Sequence, residues 1–238
     1  MGHLCLTAVT ERGGVLVTRP EPDASETADQ LRQRGWRPVV APLLIVRPIA
    51  LRPVPACAAV LVTSGNALPA LGPDWHGVPV LAVGDRTAAR AQAAGFRDVC
   101  SADGDATALL ALALARLPPG AALLLPAGVG QGRALASGLT AAGFRVYRRT
   151  AYRAAAVQAL PETARQALDA GTVDAALFLS AFTAQVFARL LPRNMHATLA
   201  SVDAVVIGSQ VATALAHLPW RRLRVSAKPT LERVLSLL

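Results

Sequence analysis

Residues 58–71 read AAVLVTSGNALPAL, and residues 174–187 read DAALFLSAFTAQVF. Each carries a short, mainly apolar run (Ala58–Thr63 or Ala175–Leu179), meets a serine (Ser64 or Ser180), and continues in a segment of helical spacing. A short apolar run bounded by turn residues and followed by a helical pattern reads as a buried parallel strand entering a helix. The same alternation recurs from Val15–Thr18 through Val78–Val83, Ala121–Leu125 and Ala204–Ile207. It predicts a doubly wound α/β fold with parallel sheets.

The two stretches belong to a longer repeat. VLVTRP and LRQRGWRPVV, from Val15, match LLLPAG and LTAAGFRVY, from Leu123; PVLAVGDRTAARA, from Pro79, matches DAVVIGSQVATAL, from Asp203; DATALLALAL, from Asp105, matches PTLERVLSLL, from Pro229. Four units thus run through the chain twice in the same order, which a duplicated α/β domain explains. Repetition does not say which first unit packs with which later set. Two beads in series, split near Leu117–Gly120, and a middle block inserted into a domain made of both chain ends are both compatible. In the second arrangement Leu44–Pro53 and Arg145–Arg153 form a pair of linkers. Local signals mark the helix ends: Asp23 with Glu26 as a capping box, Asp105 capping Ala106–Leu117, Gly35, Gly95 and Gly143 as stops, and Pro229-Thr230 opening a helix over Leu231–Leu238.

Composition narrows the function classes. The chain has 238 residues, 53% hydrophobic and 16% charged, so it can bury real cores. Net charge is +9, carried almost wholly by arginines spread along the chain. A diffuse positive field suits a polyanionic small molecule, although an Arg- and Ala-rich composition also follows from a GC-rich genome. Nucleic-acid binding is not expected, since no helix carries a clustered basic stripe or an aromatic stacking series. Cys5, Cys57 and Cys100 and the histidines His3, His76, His196 and His217 are dispersed, so neither a disulfide framework nor a metal site is expected. No signal-peptide pattern opens the chain, and the uncharged stretch Pro53–Pro73 is too polar to cross a membrane. A cytoplasmic home follows as the expectation.

The strand-to-helix junctions hold the chemistry. They are Thr18-Arg19-Pro20, Thr63-Ser64-Gly65-Asn66, Gly84-Asp85-Arg86-Thr87, Gly128–Arg133, Ser180-Ala181 and Gly208-Ser209-Gln210. Helix N-termini at the carboxyl ends of parallel strands offer free N–H groups to anions, and hydroxyls and guanidiniums beside them suit carboxylates or phosphates. Any one of these hydroxyls also serves as an ordinary N-cap. Gly128-Val-Gly130-Gln-Gly132-Arg133 resembles a dinucleotide fingerprint but has arginine where its last glycine belongs. No acid occurs between Arg133 and Pro161 to hold a ribose, so NAD is not expected. A P-loop motif is absent. Tyr152 lies among Arg148, Arg149 and Arg153, a setting that favours a phenolate and suits proton transfer; the plain alternative is a tyrosine with its polar tip at a domain junction.

In this order the segments resemble the uroporphyrinogen-III synthase family. LVTRPEPDASETADQLRQRGWRPVVAPLL is similar to the family's opening, VTSGNALPAL and AVGDRTAARAQAAGF to its next two segments, and GRALASGLTAAGFRVYRRTAYR to the block that ends at a tyrosine. LFLSAFTAQVFARLL, VVIGSQVATAL and KPTLERVLSLL complete a likeness running from about Gly14 to Leu238. The resemblance implies two flavodoxin-like domains, 1–46 with 154–238 and an inserted 47–153, joined by a two-stranded connector with a cleft between them. It implies a monomer that uses no cofactor or metal. The substrate implied is hydroxymethylbilane, a linear tetrapyrrole with eight carboxylates. It loses its terminal hydroxyl as water and closes, with ring D inverted through a spiro intermediate, to uroporphyrinogen III. The resemblance places Tyr152 on the family tyrosine that aids hydroxyl loss, Thr87 on its threonine, Ser64 and Ser180 on its two serines, and Gly208 on its turn glycine. Arg19 and Arg133 are the carboxylate partners it suggests, with Arg86 and Ser209 in the same junctions.

Two departures stand out. The last junction reads Gly208-Ser209-Gln210-Val211, without the hydroxyls the family pattern carries at the last two positions, and Pro126-Ala127 replaces a charged residue. They keep a second reading open: a divergent, non-catalytic paralogue that binds a tetrapyrrole or another small polyanion.

Overall fold

A computed structural model describes residues 13–238; Cys5 and His3 lie outside the described residues. In chain order the elements are β1 (Gly14–Val17), α1 (Asp23–Gln33), β2 (Arg37–Val40), β3 (Leu44–Pro48), β4 (Ala59–Val62), β5 (Val80–Ala82), α2 (Asp85–Ala93), β6 (Val99–Ser101), α3 (Ala106–Arg116), β7 (Ala122–Gly128), α4 (Arg133–Ala141), β8 (Arg145–Ala156), α5 (Glu162–Asp169), β9 (Val173–Phe178), α6 (Ala181–Leu190), β10 (Asp203–Val206), α7 (Ser209–Leu215), β11 (Arg222–Val225) and α8 (Leu231–Leu235). The fold is α/β with parallel sheets and helices.

Two compact units are present. Among the described residues, those through Ile45 cluster with Ala155–Leu238, and Val46–Ala154 cluster separately. The first holds a five-stranded sheet in the order β11-β10-β9-β1-β2, the second a six-stranded sheet in the order β3-β8-β7-β4-β5-β6. Counted by the repeated units, β1, β2, β9, β10, β11 and β7, β8, β4, β5, β6 are the same series. Both sheets then run 2-1-3-4-5, the second with β3 added beside β8. β3 and β8 run in opposite senses, with Ile49 N–H donating to Ala151 O at 2.7 Å and Val157 N–H to Leu43 O at 3.1 Å.

Strand side chains alternate between two covered faces. Leu16, Ala176, Phe178, Ala204 and Val206 enter one cluster, and Val15, Val17, Ala175, Leu177 and Val205 the other. In the second unit Leu61, Leu81, Leu123 and Leu125 oppose Val60, Val62, Val80 and Leu124 in the same way. Burial on both faces is why these strands are continuously apolar rather than alternating. The edge strands β2, β6 and β11, absent from the sequence-based strand set, are short and partly exposed, and each carries at least one polar residue.

Helix ends follow the predicted stops more closely than the predicted starts. Gly35, Gly95 and Gly143 take φ of 79°, 95° and 93°, and the aromatic residue after each closes a six-residue loop: Trp36 N–H to Leu31 O, Phe96 N–H to Ala91 O, Phe144 N–H to Leu139 O. Asp105 caps α3 through the amides of Thr107 and Ala108. The expected capping box at Asp23 is not formed. Asp23 is already inside α1, its carboxylate is taken by Arg19, and Glu21 accepts from the Ser25 amide instead. The last helix stops at Leu235, short of the expected Leu238. The segment after β4 is a 3₁₀ helix, Gly65–Ala70, where its repeat is the α-helix α6. Pro69, which lacks an N–H, stands in the middle of that turn.

One charged pin joins β10 to β11. Asp203, 3% exposed, accepts from Arg221 Nε at 2.7 Å and from Arg222 Nη2 at 2.8 Å, with Arg224 Nε at 3.5 Å. Burial works against its charge, but the hydrogen bonds from Arg221 and Arg222 outweigh it and hold the carboxyl below the usual carboxylate range.

Candidate functional site

Parallel strands end on the same side, so each sheet gathers its junctions. In the first unit Arg19 follows β1, Ser180 follows β9 and Gly208 follows β10, three adjacent strands. In the second unit Ser64 follows β4, Gly84–Thr87 follows β5, and Gly128–Arg133 follows β7, again three adjacent strands. Strand order reverses between β1 and β9 and between β7 and β4, where open α/β sheets leave a crevice at their carboxyl ends. Thr18 Oγ1 donates to Leu177 O at 2.7 Å across the first of these points. The nine candidate residues thus divide between the units, Arg19, Ser180, Gly208 and Ser209 in one and Ser64, Arg86, Thr87, Arg133 and Tyr152 in the other.

The side chains differ in how far they are already engaged. Ser64 Oγ accepts from Asn66 N–H at 3.3 Å and Ser180 Oγ from Thr183 N–H at 3.0 Å, so both serines are N-caps. Ser180 and Thr183 hydroxyls also lie 2.7 Å apart. Arg19 is bound to Asp23 Oδ2 at 2.6 Å and to Thr27 Oγ1 at 3.1 Å. Thr87 is buried inside the first turn of α2 and Arg86 half-buried beside it; Arg133 and Ser209, each the first residue of its helix, are exposed.

The glycine junctions are the open ones. Gly84, Gly132 and Gly208 stand at the N-caps of α2, α4 and α7, and none of these helices has a side-chain cap. A Cβ on Gly84 or Gly208 would meet nothing within 4 Å, and both have extended backbone that any residue adopts. Packing and conformation therefore do not explain these glycines; open space before uncapped amides does fit a ligand's oxygen atoms. Of the departures, Val211 occupies the position equivalent to Thr87, and both are buried, so the lost hydroxyl is replaced by core packing. Pro126 pairs with Arg149 in β7 beyond Leu124, the last residue of that strand in register with β4, so its missing N–H falls where that ladder has ended.

Tyr152 is held by a partner the sequence reading missed. Its hydroxyl donates to Gln131 Oε1 at 2.8 Å, and Arg148 Nη1 donates to Gln131 O at 3.0 Å. Gln131 stands between Gly130 and Gly132, both at φ 76°, in a turn pinned by Val129 N–H to Tyr152 O. The glycines that suggested a nucleotide loop instead fold this turn over the tyrosine. Arg149, expected to charge the neighbourhood of the phenol, lies 5.8 Å over the ring of Tyr147.

Two parallel α/β units whose strand-tip turns set out uncapped amides beside hydroxyls and guanidiniums define a protein suited to a multiply acidic ligand. The comparisons give that class its family. Residues 25–236 match the family model Uroporphyrinogen-III synthase HemD, and the chain belongs to that family. It is an enzyme, a cyclising lyase of tetrapyrrole and heme biosynthesis, and its substrate is the linear tetrapyrrole hydroxymethylbilane. The crystal structure of uroporphyrinogen-III synthetase from Helicobacter pylori has the same fold at TM-score 0.61 and 19% identity, covering 95% of this chain and 97% of that one. A mutant uroporphyrinogen III synthase from the extremely thermophilic bacterium Thermus thermophilus aligns at TM-score 0.47 and 20% identity over 94% and 96% of the two chains. No curated protein sequence matches the chain. Among the described residues no helix is long and apolar enough to cross a membrane.

Proposed function

We propose that the strand-tip turns of both units hold one molecule of hydroxymethylbilane, bent for closure. The two units are then flavodoxin-like domains, 1–46 with 154–238 and 47–153, linked by β3 and β8 as a two-stranded connector, and the protein works as a cytoplasmic monomer without a cofactor. The amides at Gly84, Gly132 and Gly208 and the hydroxyls of Ser64, Ser180 and Ser209 grip substrate carboxylates. Arg133 and Arg86 add charge, Thr87 shapes the α2 turn, and Arg19 cancels Asp23 beside its own turn. Orientation supplies most of the rate and all of the selectivity, because an unheld bilane closes by itself to the uninverted isomer.

Tyr152 serves the first step. The substrate's terminal C–O bond breaks, the departing oxygen takes the phenolic proton and leaves as water, and an electron-poor azafulvenium cation remains with its pyrrole N–H intact; the Tyr152 phenolate regains its proton when ring closure releases one. The Tyr152 O–H that now points at Gln131 Oε1 has only to rotate about its C–O bond to face that oxygen. Closure through a spiro intermediate then inverts ring D. The observation that carries this reading is the pair of uncapped, sterically open glycine N-caps at equivalent places in the two repeats, Gly84 and Gly208.

The test is cyclisation of hydroxymethylbilane by the full chain, oxidation of the product, and chromatographic measurement of the III-to-I isomer ratio. Isomer III is expected from wild type, with turnover reduced about 10²-fold or more in Tyr152→Phe. Isomer I alone from wild type would favour the non-catalytic paralogue, and unchanged turnover in the mutant would reject Tyr152 as the donor.

A further inference from the structure

The second unit has another place suited to acids, away from its helix N-termini. A cavity of about 550 Å³ is lined by Ile49, Ala50, Arg52, Arg148, Arg149 and Thr150, three arginines and no acid. β8 supplies one wall and the chain just beyond β3 the other, held together by the Ile49 N–H to Ala151 O bond. Arg149 Nη1 donates to Arg148 O at 3.2 Å, yet Arg149 Nε is buried and has no acceptor. A buried donor left unsatisfied is disfavoured relative to the same donor in water, and an anionic ligand oxygen would satisfy it. The charge of Arg149 also reaches Cys57, whose thiol is pushed up by burial and drawn back by that guanidinium. Arg148 ties the cavity to the reactive turn, since its acceptor is the carbonyl of Gln131, whose amide holds Tyr152.

We propose that this cavity is a carboxylate subsite for one acidic side chain of the tetrapyrrole, with Arg149 Nε and Arg52 as donors and Thr150 as a hydroxyl partner. The assignment rests on hydroxymethylbilane being the substrate. Its ligand is a substrate carboxylate rather than a free anion such as phosphate, because Arg148 of the cavity wall donates to Gln131, which holds the tyrosine that the reaction uses.

The experiment compares wild type with Arg149→Gln, Arg149→Lys, Arg52→Gln and Arg97→Gln. The last removes the same charge from an exposed position of this unit outside the lining of this cavity. KM and kcat for hydroxymethylbilane are measured beside equilibrium titrations with uroporphyrin III and with inorganic phosphate, after thermal melts confirm folding. Arg149→Gln is expected to raise KM and the uroporphyrin Kd about tenfold or more, with a smaller change in kcat. Arg149→Lys should recover part of that loss, Arg52→Gln should cost about threefold, as befits an exposed charge, and Arg97→Gln should stay close to wild type. Arg149→Gln indistinguishable from Arg97→Gln in both KM and Kd would overturn the subsite. So would loss of phosphate binding with uroporphyrin binding intact, which would make it a free-anion site. If wild type forms no isomer III while uroporphyrin binding still depends on Arg149, the reaction assignment fails and the subsite stands.

Discussion

Gly128 lacks a side chain where β7 runs beside the Tyr152 ring. A Cβ there would lie 2.9 Å from the ring carbons Cε2 and Cζ and 2.7 Å from Gln131 Oε1. The amide end can swing aside, but the ring is buried and cannot. Gly128→Ala is therefore expected to cost about 1–3 kcal/mol by overpacking and to lower turnover by displacing the phenol, measured by urea midpoint and by the isomer assay. Full activity with full stability would mean that the Tyr152 position is not critical. The tyrosine was legible as a candidate from its arginine-rich surroundings, but its true partner was not. Gln131 meets it only because β7 and β8 run in parallel register and the chain doubles back between two left-handed glycines, and that register is a property of the sheet.

Helix starts separate into two kinds. Those of α3 and α6 are closed by their own Asp105 and Ser180, whereas those of α2 and α7 are open. Serine is at least as good an N-cap as glycine, so Gly84→Ser should leave thermal stability unchanged or raise it by a few tenths of a kcal/mol. The same change is expected to raise KM for hydroxymethylbilane by filling the space before the α2 amides. Unaltered KM would remove Gly84 from the binding surface. The pin at Asp203 yields a pH prediction. Its folded-state pKa is depressed, so its stabilisation is complete above the ordinary aspartate value of about 4 and is lost as pH falls through the lower folded value. Asp203→Asn should cost about 2 kcal/mol at pH 7, and the gap to wild type should shrink below about pH 4; a gap independent of pH would show that the charge is immaterial. Buried strands and helix stops were readable because both carry strong local chemistry. Edge strands such as β11 were not, because Arg222 and Arg224 there answer to Asp203 on another strand. The Asp23 box failed for a similar reason: Arg19, four residues away, competes for the same carboxylate.

Net charge of +9 and a substrate with eight carboxylates give an electrostatic test of the entire protein. Raising NaCl from about 20 to 500 mM shortens the screening length from roughly 20 Å to 4 Å. This is expected to lower kcat/KM steeply and kcat much less, as capture weakens and chemistry does not. Salt-independent capture would leave the arginines as compositional bias. The repeat was plain in the sequence, but the pairing of its halves was not, because equivalent units have equivalent edges and only the folded pairing of β1 with β9 distinguishes them. That pairing also sets an order in time. The bond from Thr18 to Leu177 spans 159 residues, while β4 to β7 of the other sheet pair with one another within residues 59–128 and its longest reach, from β3 to β8, is complete by Ala156. On a ribosome the middle of the protein is complete while the beginning still waits. A nascent chain halted once Ala154 has left the ribosome and Val173 has not would carry one finished body behind an orphaned β1–α1–β2 unit, apolar on an unsealed flank, and that is where a chaperone would find it.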